Sequence, residues 1–161
     1  MLSRTFALIK PETVAHPPNC WEAVKIIAEA FQVLAVQKLH ISPQLAEEFY
    51  CTHRGKYFHQ RLVSHMTSGP SIAFVLACAE GDAIFKWRSL LGPTKVFRTI
   101  YENQETLRGQ FGLTDSRNFG HGSDSVETAL KEISMFFNQE LRNNVTKQEL
   151  YQIVFGDFYK E

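Results

Sequence analysis

The sequence predicts an α+β domain in which helices pack on one antiparallel sheet. Three observations carry that prediction. Runs with strand alternation or continuous apolar character recur between segments of helical spacing, in the order β-α-β-(α,α)-β-α-β-α. The longest apolar run, "IAFVLACA" at 72–79, is too short to span a bilayer and suits a buried strand. At 161 residues, with no repeat, low-complexity tract or linker, the chain has the length of one domain with its own core.

The first element is a strand over 4–10. Thr5, Ala7 and Ile9 alternate with Phe6, Leu8 and Lys10, and Pro11 ends the run. Pro17-Pro18-Asn19 then opens a helix, with Asn19 as N-cap and Glu22 three residues on, followed by Trp21, Val24, Ala28 and Phe31. "VLAVQKLHI" at 33–41 reads as a second strand, and Ser42-Pro43 starts a short helix. Phe58, Leu62 and Met66 mark a further helix, closed by Ser68-Gly69-Pro70.

The third strand covers 71–78. Asp82 opens a helix carrying Ala83, Ile84, Trp87, Leu90 and Leu91, and Gly92-Pro93 stops it. A long loop is expected from Thr94 to about Phe111, then a strand over 116–121. Asp124 is read as the cap of a helix whose apolar stripe is Val126, Ala129, Leu130, Ile133, Phe136 and Phe137. Near the end, Thr146 and Glu149 form a capping box, with Val145 and Leu150 as its staple, before a helix ending at Phe155-Gly156.

Composition narrows the function classes. Hydrophobic residues make up 44% and charged residues 21%, an ordinary globular balance. Seventeen basic residues face seventeen acidic ones, so any basic site is local and a general nucleic-acid surface is disfavoured. Cys20, Cys51 and Cys78 form no CxxC pair and read as free thiols of an intracellular protein. No membrane span is expected. A removable leader is hard to place, because "RTFALIK" already reads as a strand.

Most chemical motifs fail. No GxxxxGK[ST] loop occurs, and "GHGSDS" lacks the third glycine of a dinucleotide fingerprint. His53, His59 and His65 are six residues apart, on different helix faces, and Cys51-x-His53 is too weak for a metal site; ordinary roles are expected for all three histidines. His121, Ser123 and Asp124 are too close in sequence to converge as a hydrolytic relay. Lys10 reads alone as an ammonium snorkelling from a strand end, and Arg88 and Arg108 as solvated positions.

One ring stands out. His121 lies between Gly120 and Gly122 in "RNFGHGSDS". A neutral imidazole attacks phosphorus and holds a phosphoryl group covalently. The two glycines are read as leaving room for that group and permitting the bend before the next helix. Glu132 lies just off the stripe of that helix, and helical side chains lean back toward the N-terminus, toward His121.

Taken together, "TFALIKPETV", "LVSHMTSGP", "WRSLLGPTKVFR", "TLRGQFG" and "RNFGHGSDSVETALKEISMFF" resemble, in order and spacing, the nucleoside diphosphate kinase family. The resemblance runs from about Arg4 to Phe137. It divides the chain into a kinase domain at 1–137 and a tail at 138–161, with a short helix packed on the domain. It implies a ferredoxin-like βαββαβ antiparallel sheet with helices on its faces. It also implies ping-pong transfer of a γ-phosphoryl group between nucleoside tri- and diphosphates.

On the matching positions, the resemblance makes His121 the phosphorylated residue, with Glu132 orienting its ring and Ser123 hydrogen-bonding beside both. Lys10, Tyr50, Arg88, Thr94 and Arg108 would grip the phosphates, Asn118 would reach the sugar, and Phe58 would stack on the base. Mg²⁺ would be held by the nucleotide phosphates rather than by protein ligands. The family assembles as trimers within hexamers, so a homo-oligomer is implied, in a cytoplasmic or mitochondrial location.

The sequence departs from the family pattern in three places. The loop between Thr94 and Arg108 is longer than in common members and lacks their Pro-Gly. Tyr57 replaces the usual proline before Phe58, and His59 follows. The tail from Asn138 matches no common ending. These departures leave an alternative reading: a weakly active or inactive member that binds nucleotide and acts through a protein partner.

Overall fold

The computed structural model describes residues 2–138, 141 and 144–156. Parts of the 138–161 tail therefore lie outside the described residues. The chain runs β1 (Ser3–Ile9), α1 (Pro11–Val14), α2 (Pro17–Ala30), β2 (Gln32–Leu39), α3 (Pro43–Phe49), a 3₁₀ turn at Cys51–His53, α4 (His59–Met66) and β3 (Ser71–Cys78). It continues through α5 (Ala83–Leu91), α6 (Val96–Glu102), α7 (Leu107–Phe111), β4 (Gly120–Gly122), α8 (Val126–Phe136) and α9 (Lys147–Phe155).

The strands form one sheet in the order β2-β3-β1-β4, and every pairing is antiparallel. With α2 and α5 as crossovers and α3 and α4 inserted between β2 and β3, this is the α+β arrangement that the element order predicts and the ferredoxin-like fold that the resemblance implies. Alternation in β1 sends its side chains to opposite faces. Ala7 and Ile9 join Ile72, Phe74 and Leu76 under α2, α5 and α9, where Val24, Ile27, Trp87, Leu91, Leu150 and Val154 complete one core. Phe6, Leu8 and Ala73 face Ala46, Val63, Met66 and Phe136 from α3, α4 and α8, and Tyr50 at the end of α3. All eight residues of β3 are buried, which explains its continuous apolar run. Each large side chain buried in full, such as Trp87 or Phe74, contributes about 1.5–3 kcal/mol.

Several boundaries differ from expectation for local reasons. Pro11 ends β1 and also starts α1, since a proline at the first helical position forgoes no hydrogen bond. The cap of α2 is His16, whose Nδ1 accepts from the Asn19 amide at 3.3 Å, so Asn19 lies inside the helix. The cap of α8 is Ser125, not Asp124, with its Oγ 3.1 Å from the Thr128 amide.

The expected loop 94–111 contains two helices. Their short apolar sets, Val96 and Leu107, are buried, and Thr106 caps α7 by accepting from Gly109. The Thr146–Glu149 capping box forms on α9, which packs Leu150 and Val154 into the core under β2.

Candidate active site

β4 is an edge strand paired with β1, with His121 opposite Leu8. That register places the imidazole on the Phe6–Leu8 face, at the open border of the sheet. The Phe49 ring meets it edge-on, with centroids 4.7 Å apart at 73°, and the Phe6 ring lies at 6.2 Å. From α8, Glu132 reaches back to it, so that Nε2 of His121 and Oε2 of Glu132 are 2.6 Å apart. The Glu132 side chain is 7% exposed and the His121 side chain 29%. A carboxylate only accepts, so Nε2 carries the hydrogen and Nδ1 the lone pair. Among the described residues, nothing in the protein bonds Nδ1. The result is a ring fixed in one tautomer, with its nucleophilic atom free.

The flanking glycines serve a different purpose from the one expected. A Cβ on Gly122 would come within 2.5 Å of Trp87 Cδ1, and one on Gly120 within 2.4 Å of the Leu8 carbonyl oxygen. Both therefore admit the core to the backbone, and neither has positive φ. The left-handed residue that turns the chain into β4 is Phe119, at φ 81°.

A cleft of about 900 Å³ opens beside the imidazole. Its walls bring together six of the expected residues: His121, Glu132, Tyr50, Arg88, Thr94 and Arg108. Arg88 and Thr94 are exposed. Arg108 is buried and donates to three backbone carbonyls, from Nε to Asn118 at 3.2 Å, Nη1 to Gly92 at 2.7 Å and Nη2 to Gly120 at 2.9 Å. It thus ties α7 to the strand that carries His121 and keeps two of its five N–H donors for other partners. Burial, with Arg88 close by, pulls its pKa down to about 10, still cationic at neutral pH.

Lys10 does not snorkel. It is 4% exposed, and Nζ donates to Asn118 Oδ1 at 2.8 Å and to the Ser116 carbonyl at 3.2 Å. Burial lowers its pKa to about 8; Glu12 acts against that shift and Arg108 with it. Lys10 and Asn118 form one buried unit behind the cleft wall. Phe58 also lies outside the lining and touches it through His53, with ring centroids 5.3 Å apart.

Among the described residues, the buried hydroxyls without a hydrogen-bond partner in the protein include Tyr50 Oη and Ser123 Oγ. Ser123 therefore makes no bond to Glu132 here. Burial pushes the Tyr50 phenol well above its ordinary range, so it stays a neutral O–H donor.

Several lining residues were not legible as site residues. Thr128, Lys131 and Met135 share the cleft with Glu132. Thr128 and Met135, four before and three after Glu132, share its helix face, which is a spacing signal; Lys131 carries none. Nothing local marks Phe49. His53, expected to play an ordinary role, borders the cleft; burial, Lys56, His59 and His121 hold its pKa below the usual histidine value.

The family model described as nucleoside diphosphate kinase matches residues 3–141. This chain belongs to the nucleoside diphosphate kinase family. Its curated relatives include nucleoside diphosphate kinase 6 from Xenopus tropicalis, 49% identical over 84% of this chain and 75% of the relative. The human protein of the same name is 47% identical over 84% of this chain and 73% of its own. A nucleoside diphosphate kinase from Desulfovibrio desulfuricans is 36% identical over 86% of this chain and 96% of its own.

Solved structures of nucleoside diphosphate kinases share the fold. That from Aquifex aeolicus superposes with a TM-score of 0.77 at 35% identity, covering 85% of this chain and 96% of its own. The Halobacterium salinarum enzyme, in complex with CDP, gives 0.79 at 29% identity, over 94% and 98%. Among the described residues, no helix is long and apolar enough to cross a membrane.

Proposed function

We propose that this chain is a nucleoside diphosphate kinase working by a ping-pong mechanism through a phosphohistidine at His121. The observation that carries the reading is the His121–Glu132 pair, which leaves Nδ1 unbonded on a ring that lines one cleft with Arg88 and Arg108. In the first half-reaction the Nδ1 lone pair attacks the γ-phosphorus of a nucleoside triphosphate. The bridging P–O bond to the β-phosphate breaks, and the nucleoside diphosphate leaves with that electron pair. In the second, a β-phosphate oxygen of another nucleoside diphosphate attacks the phosphohistidine, the N–P bond breaks, and the lone pair returns to Nδ1.

Such a transfer asks the protein for in-line positioning and for positive charge on the phosphoryl oxygens. Arg88 and Arg108 supply charge at the cleft wall, Thr94 and Tyr50 supply hydroxyl donors, and Lys10 adds a third cation from behind. The unbonded Tyr50 hydroxyl, which lines the cleft, is the kind of buried donor that a phosphate oxygen satisfies. Asn118, held by Lys10, is assigned to the sugar and Phe58 to the base, where stacking tolerates any base.

Among the described residues, no three His, Cys, Asp or Glu side chains come together to hold a metal ion. Magnesium is assigned to the substrate's phosphates, where it would neutralise charge on their oxygens. Asp124 borders the same cleft, held below the usual carboxylate range by a hydrogen bond from Thr128.

One observation favours a second reading, in which a protein partner matters more than catalysis. Phe97 and Tyr101 of α6, within the lengthened segment, are 58% and 77% exposed. Terminally labelled ATP separates the two readings. The kinase reading expects acid-labile, alkali-stable label that is absent from His121→Ala and leaves as GTP when GDP is added. Label that stays on the protein, or no label at all, overturns it in favour of the partner reading.

A further inference from the structure

A second histidine–glutamate pair lies outside the cleft. Nε2 of His65, on α4, is 2.6 Å from Oε2 of Glu12, on α1, and their side chains are 9% and 7% exposed. The other oxygen of the same carboxylate, Oε1, accepts the Phe119 amide at 2.8 Å. Phe119 is the only non-glycine residue at positive φ among the described residues. A bulky side chain adopts that conformation only where its surroundings impose it. Here its ring is fully buried and stacks on Phe111, with centroids 5.9 Å apart.

The turn at Phe119 sets two parts of the site at once. Its carbonyl accepts the Lys10 amide at 2.8 Å, and its neighbour Asn118 accepts from Lys10 Nζ at 2.8 Å. Two residues further on is His121. Arg108 grips the carbonyls on either side, at Asn118 and Gly120, but leaves the Phe119 amide to Glu12. Neither Glu12 nor His65 lines the His121 cleft, so neither touches a ligand held there.

We infer that Glu12, clamped by His65, is a positioning residue that holds the Asn118–His121 segment in the turn that aims the imidazole. The inference rests on the proposed phosphohistidine reading for its kinetic consequence. His65 fixes the carboxylate, the carboxylate fixes the left-handed turn, and the turn fixes the direction of Nδ1. Small misplacements of a reacting group cost rate steeply, on the order of a hundredfold for 1 Å.

The test compares His65→Phe, which keeps the ring volume and loses the donor, with His65→Gln, whose amide N–H reaches toward Glu12. Single-turnover labelling with ATP at saturation reads two quantities. The amplitude counts folded sites, and the rate constant reports geometry at each site. His65→Phe is expected to lower the rate constant at least tenfold with most of the amplitude kept, and His65→Gln to restore most of it. An unchanged rate constant in His65→Phe overturns the inference and leaves a merely structural pair.

The proton on His121 Nε2, followed by NMR in the nucleotide-free protein, gives an independent reading. It is expected to shift or broaden in His65→Phe and to return toward its original position in His65→Gln. An unmoved resonance overturns the positioning role even if the natural protein takes no label. The latter result would overturn the phosphohistidine reading instead.

Discussion

Trp87 donates its indole N–H to the His121 carbonyl oxygen over 3.1 Å, and the same indole occupies the space where a Gly122 side chain would begin. The strand that carries His121 is thus locked to α5 through backbone on one residue and through a missing side chain on the next. Gly122→Ala forces the fully buried Trp87, or β4 itself, to move. Overpacking of this kind costs about 1–3 kcal/mol. At this chain length, each kcal/mol lowers the melting temperature by about 2–4 °C. Calorimetry should show that loss, while phosphohistidine formed per folded molecule falls much less. An unaltered melting temperature with labelling abolished would return the glycine to the chemistry.

Glu132→Gln addresses the tautomer. The carboxylate accepts from Nε2–H and nothing else, whereas a carboxamide can also donate and so stabilise the tautomer with its lone pair on Nε2. In that tautomer Nδ1 carries hydrogen and cannot attack. Steady-state kinetics should show kcat lowered by roughly a hundredfold. KM for the nucleotide should change little, because Glu132 is spent on the histidine. An unchanged kcat would remove Glu132 from any role in orienting the ring.

Legibility followed how local each cause was. β1, β3 and α5 were readable within their own residues, through alternation, a run of buried side chains and an Asp82 cap. The helices at Val96–Glu102 and Leu107–Phe111 were not, because each is short and buries only two side chains, Val96 and Thr99 in the first and Leu107 and Arg108 in the second. The same distinction applies at the site. His121 and Glu132 are eleven positions apart, and helix geometry predicts that they approach. That Arg108 grips carbonyls of Gly92, Asn118 and Gly120 depends on tertiary packing, and no spacing rule foreshadows it. The purpose of the glycines around His121 is illegible for the same reason, since Trp87 lies more than thirty positions away.

Acid should act on the fold through Glu12. Burial alone would raise its pKa, but the bonds from His65 and from the Phe119 amide outweigh it and hold the carboxyl below the ordinary value of 4.5. A carboxylate with a depressed native pKa gives stability that is complete above the unfolded value and lost as pH falls through the native one. Denaturant midpoints should therefore fall as pH drops below 4.5, and more steeply in the natural chain than in Glu12→Gln. Parallel profiles for the two proteins would mean that the carboxylate gains nothing from its partners.

Lys10 titrates on the opposite side of neutrality. Its native pKa of about 8 lies below the ordinary lysine value of 10.5, mainly because burial disfavours the ammonium. Between those values the unfolded chain holds a proton that the native chain has released, so this group makes stability rise with pH there. Cys20 works the other way from 9 upward, because burial raises its thiol to about 11, and the rise should show between about 8 and 9. A nucleotide phosphate within reach of Nζ favours the charged form, so binding above pH 8 must draw a proton from solvent. Calorimetry of ADP binding near pH 8.5, in buffers of different ionisation enthalpy, should register that uptake. It should vanish in Lys10→Met and be smaller near pH 7, where the ammonium is already charged. Binding without proton uptake at the higher pH would mean that the phosphates never come close enough for Lys10 to sense them.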